Sequence, residues 1–241
     1  MNVDSIAIIP ARFNSTRFPG KPLVEIDGKT LIELVYNQVA QATLVSKILV
    51  ATDDRRIADA VRRFGGTAVM TRNDHPSGTD RLAEAAQDFP PNTLVVNVQG
   101  DEPMIDPADI DRAVAAAGAD DAEIVTLMTK LDPAWADDPN RVKVVATGSG
   151  IALYFSRSKI PSGGTCFLHL GLYVYRAGFL RKFAKLERTP LEIAERLEQL
   201  RALEYGYRIR VVEVENESWG IDTPEDLEKF AQMSRGLQGS R

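Results

Sequence analysis

The sequence predicts an α/β fold, in which a mostly parallel sheet is flanked by helices and carries a smaller mixed or antiparallel lobe. Over roughly the first 130 residues, short apolar runs alternate with segments whose apolar side chains recur at helical spacing, as in a doubly wound sheet. Beyond that point the runs are joined by short connections, and no proline-, glycine- or serine-rich linker separates the parts. We therefore predict a single domain over residues 1–241. It has a first half at about 1–130, an inserted lobe at about 131–215 and a returning helix at about 216–233.

Five apolar runs predict the strands of the first half, because a parallel strand covered on both faces is apolar throughout. They are residues 6–9, 48–51, 68–70, 94–98 and 124–128. The helices between them are predicted by one-sided apolar patterns. These patterns are Leu31, Leu34, Val35, Val39 and Ala42; Ile57, Val61 and Phe64; and Leu82, Ala85 and Phe89. Three further strands, at 142–146, 152–155 and 168–175, are predicted for the lobe.

Two later helices are predicted by the way they begin. Each has threonine as N-cap, then proline, then a carboxylate three residues after the cap, which is a capping box. The residues are Thr189, Pro190 and Glu192 in the first helix, and Thr223, Pro224 and Asp226 in the second. Gly206 is placed to end the first helix in the left-handed conformation that glycine favours.

Composition excludes several classes of protein. A net charge of −5 at pH 7 argues against a general nucleic-acid-binding protein, because neutralising a phosphate backbone requires a basic surface. No apolar run approaches the roughly 18 residues of a membrane span, and no signal peptide is recognisable. We therefore expect a cytoplasmic protein with no membrane or nucleic-acid partner. The single cysteine, Cys166, excludes an internal disulfide and a thiolate metal cluster within one chain.

The stretch "PARFNSTRFPGKPL", residues 10–23, is a cationic loop directly after the first predicted strand. Ligands of open parallel sheets bind beyond the carboxyl ends of the strands. Arg12, Arg17 and Lys21 can face polyphosphate oxygens, and Gly20 permits close approach of the backbone. The loop is not a Walker A motif, because proline follows the lysine where serine or threonine should bind magnesium. A solvated basic loop without a ligand is the alternative.

The stretch "VVNVQGDEP", residues 95–103, ends a buried strand in Gln99, Gly100, Asp101 and Glu102. Carboxylates beside a cationic loop suit a magnesium-dependent phosphoryl or nucleotidyl transfer, because Mg²⁺ prefers oxygen ligands and bridges substrate phosphates. The alternative is a simple turn before a helix that starts at Pro107.

Two more stretches end in polar residues near predicted helix starts. In "WGIDTPEDL", residues 219–227, Asp222 lies just outside the last helix and is either a second magnesium ligand or a turn residue. In "MTRNDHPSGTDR", residues 70–81, Ser77 and Gly78 open a helix whose N–H groups and hydroxyls can contact a base or a ribose. His75 is given no catalytic or metal-binding role.

Taken in order, these stretches resemble the 3-deoxy-manno-octulosonate cytidylyltransferase family. The resemblance runs from Ile6 to about Phe230 and rests on "IIPAR", "STR", "PGKPL", "ATDD", "SGTDR", "VNVQGDEPMI", "ALYFSR", "HLGLYVYR", "LEQLR" and "GIDTPEDL". It implies a Rossmann-like nucleotidyltransferase fold, with a CTP-binding half and a lobe for the acid sugar and for dimerisation. It further implies transfer of CMP from CTP to the acid sugar Kdo, release of pyrophosphate, Mg²⁺ as cofactor, a homodimer and a role in lipopolysaccharide biosynthesis.

The resemblance also implies roles for particular residues. Residues implied for CTP binding are Ala11, Arg12, Arg17, Lys21, Thr71, Ser77, Gly78, Arg81 and Gln99. Residues implied for the acid substrate are Gln99, Arg157, His169, Tyr173, Glu198 and Gln199. Asp101 and Asp222 are implied as metal ligands, and Arg12, Lys21 and Asp101 as the catalytic residues. Arg157 or His169 would supply the cation for the sugar carboxylate. From the residues alone, Tyr173 suits strand core equally well, and Glu198 and Gln199 suit the polar flank of a surface helix.

One segment departs from the family pattern. Only "SGGTCFL", residues 162–168, joins "YFSRSKIP" to "HLGLYVYR", where family members usually carry a longer segment. This leaves a second hypothesis open, in which the acceptor is another acid: an amino-Kdo, another ulosonic acid or a small phosphonate-type acid. A catalytically silent nucleotide-binding protein on the same fold is a third, and the intact Arg12, Lys21, Asp101 and Asp222 disfavour it.

Overall fold

The computed structural model describes residues 4–14 and 18–238 of the chain, with side chains up to residue 233. Its strands are β1 (Ser5–Ala11), β2 (Glu25–Ile26), β3 (Lys29–Thr30), β4 (Lys47–Thr52), β5 (Ala68–Met70), β6 (Leu94–Asn97), β7 (Ile124–Lys130), β8 (Lys143–Ala146), β9 (Ala152–Ser156), β10 (Phe167–Arg176) and β11 (Ile209–Glu213). Its helices are α1 (Leu31–Val39), α2 (Arg55–Arg63), α3 (Gly78–Ala85), α4 (Pro107–Ala119), α5 (Ala177–Phe183), α6 (Pro190–Glu195), α7 (Gln199–Glu204) and α8 (Pro224–Gln238). None of these helices combines the length and apolar character needed to cross a bilayer.

The main sheet has the strand order β11-β7-β10-β6-β1-β4-β5. Within the run β6-β1-β4-β5, every pair of neighbouring strands is parallel. Strand β11 is parallel to β7. Strand β10 is antiparallel to both β6 and β7 and lies between them. The hairpin of β8 and β9 extends from β10, and β2 and β3 form a separate small sheet. The predicted α/β class, mostly parallel with a mixed section, is confirmed.

Strand β1 shows why the central strands are apolar throughout. Its side chains alternate between two faces, so that Ile6 and Ile8 join the apolar cluster on one side of the sheet and Ala7 and Ile9 join the cluster on the other. All four are at most 1% exposed. Both faces are covered, as expected of a doubly wound sheet.

The predicted helix from Thr189 to Gly206 is wrong in one respect, because the structure has two short helices there. Helix α6 ends at Arg196, which takes the left-handed conformation (φ 55°), and α7 begins three residues later. A non-glycine residue in this conformation costs energy, and the helix cannot continue through it. The predicted start is confirmed, since the Glu192 carboxylate accepts from the backbone N–H of Thr189 at 3.4 Å.

Several elements lack a counterpart among the sequence predictions, among them the short strands β2 and β3, strand β11 and helix α5. Strand β11 pairs with β7 at the edge of the sheet, and α5 follows β10 directly. Strand β10 itself places part of the predicted lobe within the central sheet, because it separates β6 from β7.

Candidate active site

The loops that leave β1 and β6 meet at the carboxyl edge of the sheet. The two strands are parallel neighbours, so their loops emerge side by side. Gly100 follows β6, and a Cβ there would lie 2.8 Å from the carbonyl oxygen of Pro10. Only glycine permits this approach, which brings the cationic loop against residues 99–102.

Lys21 joins the two predicted metal ligands. Its Nζ lies 2.6 Å from Asp101 Oδ2 and 3.3 Å from Asp222 Oδ1, and it also donates to the carbonyl of Ile221 at 2.9 Å. Only 12% of the lysine side chain is exposed, against 30% and 44% for the two aspartates. We call Lys21, Asp101 and Asp222 the carboxylate cluster. Asp101 and Asp222, which are 80 and 201 positions from Lys21 in sequence, thus both contact its ammonium group.

Local sequence explains how Lys21 is held. Gly20 adopts φ 73°, a conformation favoured by glycine, and precedes a single 3-10 turn at Lys21–Leu23. The backbone N–H of Gly20 donates to the carbonyl of Phe13 at 2.9 Å, which closes the loop on itself. Pro22 is buried in the turn. The backbone of Lys21 is therefore held in position by the fold of this loop.

The carboxylate cluster fits a hard divalent cation. Both carboxylates reach the same ammonium nitrogen, so a single ion placed between them can be in contact with both. No group of three or more His, Cys, Asp or Glu side chains suited to a metal occurs in the described part of the chain. Two protein carboxylates, with waters and substrate phosphates completing the shell, are the usual arrangement for Mg²⁺ and not for a closed protein cage.

Two predicted site residues, Arg12 and Arg81, interact electrostatically with each other. Arg12 follows β1, and its Nη2 is buried with no hydrogen-bond partner in the described residues. A buried guanidinium nitrogen without a partner is unusual and suits an anionic ligand. Arg81 is fully buried; it donates to Thr71 Oγ1 and forms an ion pair with Asp53 at 3.2 Å. Burial lowers the pKa of Arg81, and the Asp53 charge opposes that shift.

Helix α3 begins at the same edge. Ser77 caps it in a capping box with Asp80, whose carboxylate accepts from the Ser77 hydroxyl at 2.6 Å. A Cβ on Gly78 would lie 3.8 Å from the ring of Pro10, so the helix N-terminus lies against the loop after β1. Sequence analysis predicted Ser77 and Gly78 as the start of this helix, and the structure confirms it.

A cavity of about 330 Å³ opens on the other side of residues 99–102. We call it the β10 cavity, because β10 forms its floor. Residues from five parts of the chain line it, among them Gln99, Glu102, Arg141, His169, Tyr173 and Gln199. Its size lies at the lower end of the range for small-molecule sites.

A bulge in β10 shapes this cavity. The register with β7 shifts between Leu170 and Tyr173, and such bulges re-aim side chains. The Thr126 hydroxyl contacts the carbonyl of Leu172 at 2.7 Å and His169 Nε2 at 3.0 Å. Because the carbonyl can only accept, the network is complete when the hydroxyl donates to it and accepts from Nε2–H. This assignment leaves His169 Nδ1 as an acceptor.

Burial changes the ionisation of groups in the β10 cavity. It lowers the pKa of His169 to about 3, so the ring is neutral at pH 7. It raises the pKa of Glu102 to about 7, with the charges of Asp101 and Asp222 adding to the shift and a hydrogen bond from Ser218 opposing it. Glu102 can therefore either donate or accept a hydrogen bond near neutral pH.

Glu198 connects the two sides of the site. Its carboxylate accepts from the hydroxyl of Thr79, in the first turn of α3, and lies 3.3 Å from Arg201 Nη2. Burial is the main cause of the raised pKa of this carboxyl. Gln199, the next residue, lines the β10 cavity. The break at Arg196 therefore places two adjacent side chains at different ends of the site.

Comparison with known proteins gives the family. A model of the cytidylyltransferase family matches residues 6–210. The 3-deoxy-manno-octulosonate cytidylyltransferase of Syntrophotalea carbinolica is 52% identical over 96% of this chain and 98% of its own, and that of Geobacter sulfurreducens is 54% identical over 92% and 96%. The chain belongs to the 3-deoxy-manno-octulosonate cytidylyltransferase family. The predicted family and the predicted nucleotidyltransferase class are confirmed.

A solved family structure confirms the nucleotidyltransferase fold. The CMP-2-keto-3-deoxy-manno-octonic acid synthetase complexed with CTP superposes on this cytidylyltransferase with a TM-score of 0.93. It is 42% identical over 97% of this chain and 99% of its own. The alignment with the Syntrophotalea relative spans 248 positions but uses only 96% of this chain. That relative therefore carries residues that this cytidylyltransferase lacks.

The shortened segment mainly borders a different cavity. Pro161, Thr165 and Phe167 line a larger space of about 850 Å³, which extends to Arg210 and which none of the predicted site residues line. From residues 162–168, only Leu168 lines the β10 cavity.

Arg157 does not reach the β10 cavity. Its guanidinium donates to the carbonyls of Pro139, Glu195 and Arg196 at 3.0, 2.9 and 3.4 Å, and its backbone N–H donates to the Glu195 carboxylate at 2.8 Å. It ties β9 to the neighbouring loops. Its role toward the acid substrate stays a prediction, as do the roles of the other site residues, and Arg17 lies outside the described residues.

Sequence reasoning missed three residues of the β10 cavity. Glu102 was considered only among the carboxylates that follow the buried strand, and its place in this cavity has no sequence signal. Arg141 and Glu217 stand in irregular segments with no recognisable pattern. Their proximity arises only from the packing of those segments beside β10.

Proposed function

We propose that this protein transfers CMP from CTP to the anomeric hydroxyl of 3-deoxy-D-manno-octulosonate (Kdo), releasing pyrophosphate, with Mg²⁺ as cofactor. The observation that carries the proposal is the position of residues 99–102. Gln99 and Glu102 line the β10 cavity, and Asp101 between them pairs with Lys21. One loop thus borders both the cavity and the carboxylate cluster. Transfer between two bound substrates requires this proximity.

CTP would occupy the carboxylate-cluster side. Arg12 has a buried nitrogen without a protein partner among the described residues, and the α3 N-terminus opens beside it. The family member at 42% identity is complexed with CTP, which supports CTP as the nucleotide here. Arg12 and Lys21 would neutralise the triphosphate, whose negative oxygens otherwise repel an incoming hydroxyl.

Asp101 and Asp222 would hold Mg²⁺. The ion supplies charge neutralisation and alignment of the phosphate oxygens. Lys21 pairs with both carboxylates and offsets part of their charge; in the loaded enzyme its ammonium would turn to a phosphate oxygen.

The acid sugar would occupy the β10 cavity. His169 Nδ1 and the side-chain amides of Gln99 and Gln199 offer acceptors and donors for hydroxyl groups. The anomeric oxygen forms a bond to the α-phosphorus, the bond from that phosphorus to the β-phosphate oxygen breaks, and pyrophosphate leaves. The hydroxyl proton is released. Neutralisation and in-line positioning carry most of the catalysis in such transfers.

Pyrophosphate release tests the proposal. Purified protein is incubated with magnesium, with each of CTP, UTP, ATP and GTP, and with Kdo, an amino-Kdo, other ulosonic acids and small phosphonates. We expect release with CTP and Kdo. Release with CTP and a different acid alone would favour the second hypothesis on the acceptor. No release with CTP and any acid would refute the proposed function.

We also propose that the protein is a cytoplasmic homodimer that serves lipopolysaccharide biosynthesis. Leu153 on β9 and Ile193 on α6 are 60% and 57% exposed, and covering such large apolar side chains in an assembly would be favourable. Light scattering coupled to size exclusion should give twice the mass of the chain. The mass of a single chain at micromolar concentration would contradict the dimer.

A further inference from the structure

Arg141 and Glu217 face each other at the β10 cavity. Arg141 Nη1 lies 2.7 and 2.6 Å from the two carboxylate oxygens of Glu217, and both residues line the cavity. The Arg141 guanidinium also lies 5.0 Å from the ring centroid of Trp135. Stacking on an aromatic ring leaves the edge of a guanidinium available for further hydrogen bonds.

The β10 cavity is lined by one cationic side chain and two carboxyl groups. Among the described residues that line it, Arg141 is the one arginine or lysine, whereas Glu102 and Glu217 both carry carboxyl groups. His169 adds no charge, because burial holds its pKa near 3. For an acid bound in this cavity, the guanidinium of Arg141 is therefore the cationic group among the described lining residues. The other candidate, Arg157, uses its guanidinium for three backbone carbonyls.

We propose that Arg141 is a specificity-determining residue, which binds the carboxylate of the acid acceptor and exchanges Glu217 for it. The inference rests on the proposed function, because it requires an acid acceptor in this cavity. Before the acceptor binds, Glu217 neutralises Arg141 and keeps its guanidinium at the cavity mouth.

The contacts of Arg141 permit this exchange. Both contacts with Glu217 use Nη1, and within the described chain Nε and Nη2 make no hydrogen bond. Two parallel N–H groups thus remain for a bidentate contact with a substrate carboxylate, the geometry that guanidinium favours. The side chains are 25% and 40% exposed, and ion pairs of this exposure are weak and screened by solvent. A substrate carboxylate in a closed complex can displace such a partner.

The test pairs two substrates with three variants. The substrates are the acid that the wild-type protein uses and the carboxamide of the same acid, which keeps the shape but lacks the charge. The variants are Arg141→Met, Glu217→Gln and, as matched control, Arg112→Met. Arg112 also pairs through Nη1 with a single carboxylate, that of Asp109 at 2.7 Å, but it lies on α4.

We expect Arg141→Met to raise the KM for the acid about 10- to 100-fold, the range for losing a charged hydrogen bond. Its KM for CTP and its rate with the carboxamide should stay near the wild-type values, so that the preference for acid over carboxamide disappears. Glu217→Gln should have the opposite effect and lower the KM for the acid, because it removes the carboxylate that competes with the substrate for Arg141. Arg112→Met should leave both substrates unaffected.

Two outcomes would overturn the inference while leaving the proposed function intact. In one, Arg141→Met keeps the wild-type preference for the acid over the carboxamide. In the other, Arg141→Met and Glu217→Gln lose activity alike, with a common fall in melting temperature, as expected of a pair that only tethers two segments. If the wild-type protein turns over no acid with CTP, the proposed function fails, and the inference fails with it.

Discussion

Lys21 is the residue whose contacts say most about the candidate site. Its ammonium touches two carboxylates and a carbonyl while only 12% of its side chain is exposed. In the resting protein it acts as the counter-ion of Asp101 and Asp222. A substitution of Lys21 should therefore have two distinct effects, one on the two carboxylates and one on binding of the nucleotide.

We predict that Lys21→Met lowers kcat/KM for CTP by about 100-fold or more, the usual effect of removing one group that stabilises the transition state. Without the ammonium, the two carboxylates repel each other. Mg²⁺ alone should therefore raise the melting temperature of the variant more than that of the wild type. Lys29→Met, at an exposed position on β3, is the control for both measurements. Wild-type kinetics in Lys21→Met would contradict the assignment.

Metal dependence gives a second prediction at this scale. Chelation of divalent ions should abolish pyrophosphate release, and added Mg²⁺ should restore it. In Asp101→Asn the Mg²⁺ concentration for half-maximal rate should rise, because one of two anionic ligands is lost. Asp59→Asn, on the exposed surface of α2, should titrate like the wild type. An unchanged titration in Asp101→Asn would remove Asp101 from the metal site.

Some residues of the candidate site could be predicted from the sequence, and others could not. Lys21 and Asp101 were predicted from loops at strand ends, which lie together because parallel strands share an edge. Asp222 was singled out by its position just outside the last helix, and the structure places it beside them. Arg141 was not predicted, since nothing in its neighbours distinguishes it from a solvated loop residue. Its importance comes from the charge balance of a cavity whose walls come from distant parts of the chain.

At the scale of elements, the bulge in β10 organises the acceptor side. It sets the directions of His169, Gly171 and Tyr173 and is held by the Thr126 hydroxyl. The bulge has no sequence signal beyond Gly171 itself. Its consequences can be tested through stability and through the size of the cavity.

The buried His169 should make stability depend on pH. Burial lowers its pKa from 6.5 to about 3, so below pH 6.5 the unfolded chain takes up a proton that the folded protein refuses. Stability is then lost as the pH falls through this range, by up to about 1.4 kcal/mol per pH unit. The raised pKa of Glu102 acts in the opposite direction over the same range, so the contribution of His169 is measured as a difference between two proteins. In urea unfolding, the change in stability from pH 7 to pH 5.5 should be less favourable in the wild type than in His169→Gln. Equal changes in the two proteins would contradict a neutral buried histidine.

Gly171 should control access to the β10 cavity. A Cβ there would lie 3.4 Å from Glu102 Oε1 and 3.5 Å from Gln99 Cγ, which is ordinary contact. Gly171→Ala should therefore be tolerated, whereas the branched side chain of Gly171→Val should raise the KM for the acid acceptor by about tenfold or more through crowding. The KM for CTP should change little. Equal effects on both substrates would argue that the cavity is not the acceptor site.

Elements differ in how far sequence predicts them. The strands of the first half were predicted closely, because their apolar runs reflect burial on both faces. The break at Arg196 was not, since the capping box at Thr189 and the glycine at position 206 both agree with one continuous helix. Strand β11 was missed because its apolar run is short and ends in charge. Tertiary pairing with β7 decides its state.

For the whole molecule, the two sides of the site are joined at two places. Residues 99–102 border both the carboxylate cluster and the β10 cavity. The contact between Thr79 and Glu198 connects the start of α3 to the start of α7. The class of fold was predictable from the alternation of elements. The insertion of β10 between β6 and β7 was not, because strand order depends on contacts between segments far apart in sequence.

In the proposed reaction, the acid sugar's own hydroxyl attacks the α-phosphorus of CTP. The most direct measurement labels the anomeric oxygen of Kdo with ¹⁸O and locates the label by mass spectrometry after reaction with CTP and magnesium. We expect the label to be retained in the bridge between CMP and the sugar, and we expect none in pyrophosphate. Label released into water or found in pyrophosphate, or a product that lacks CMP, would contradict it.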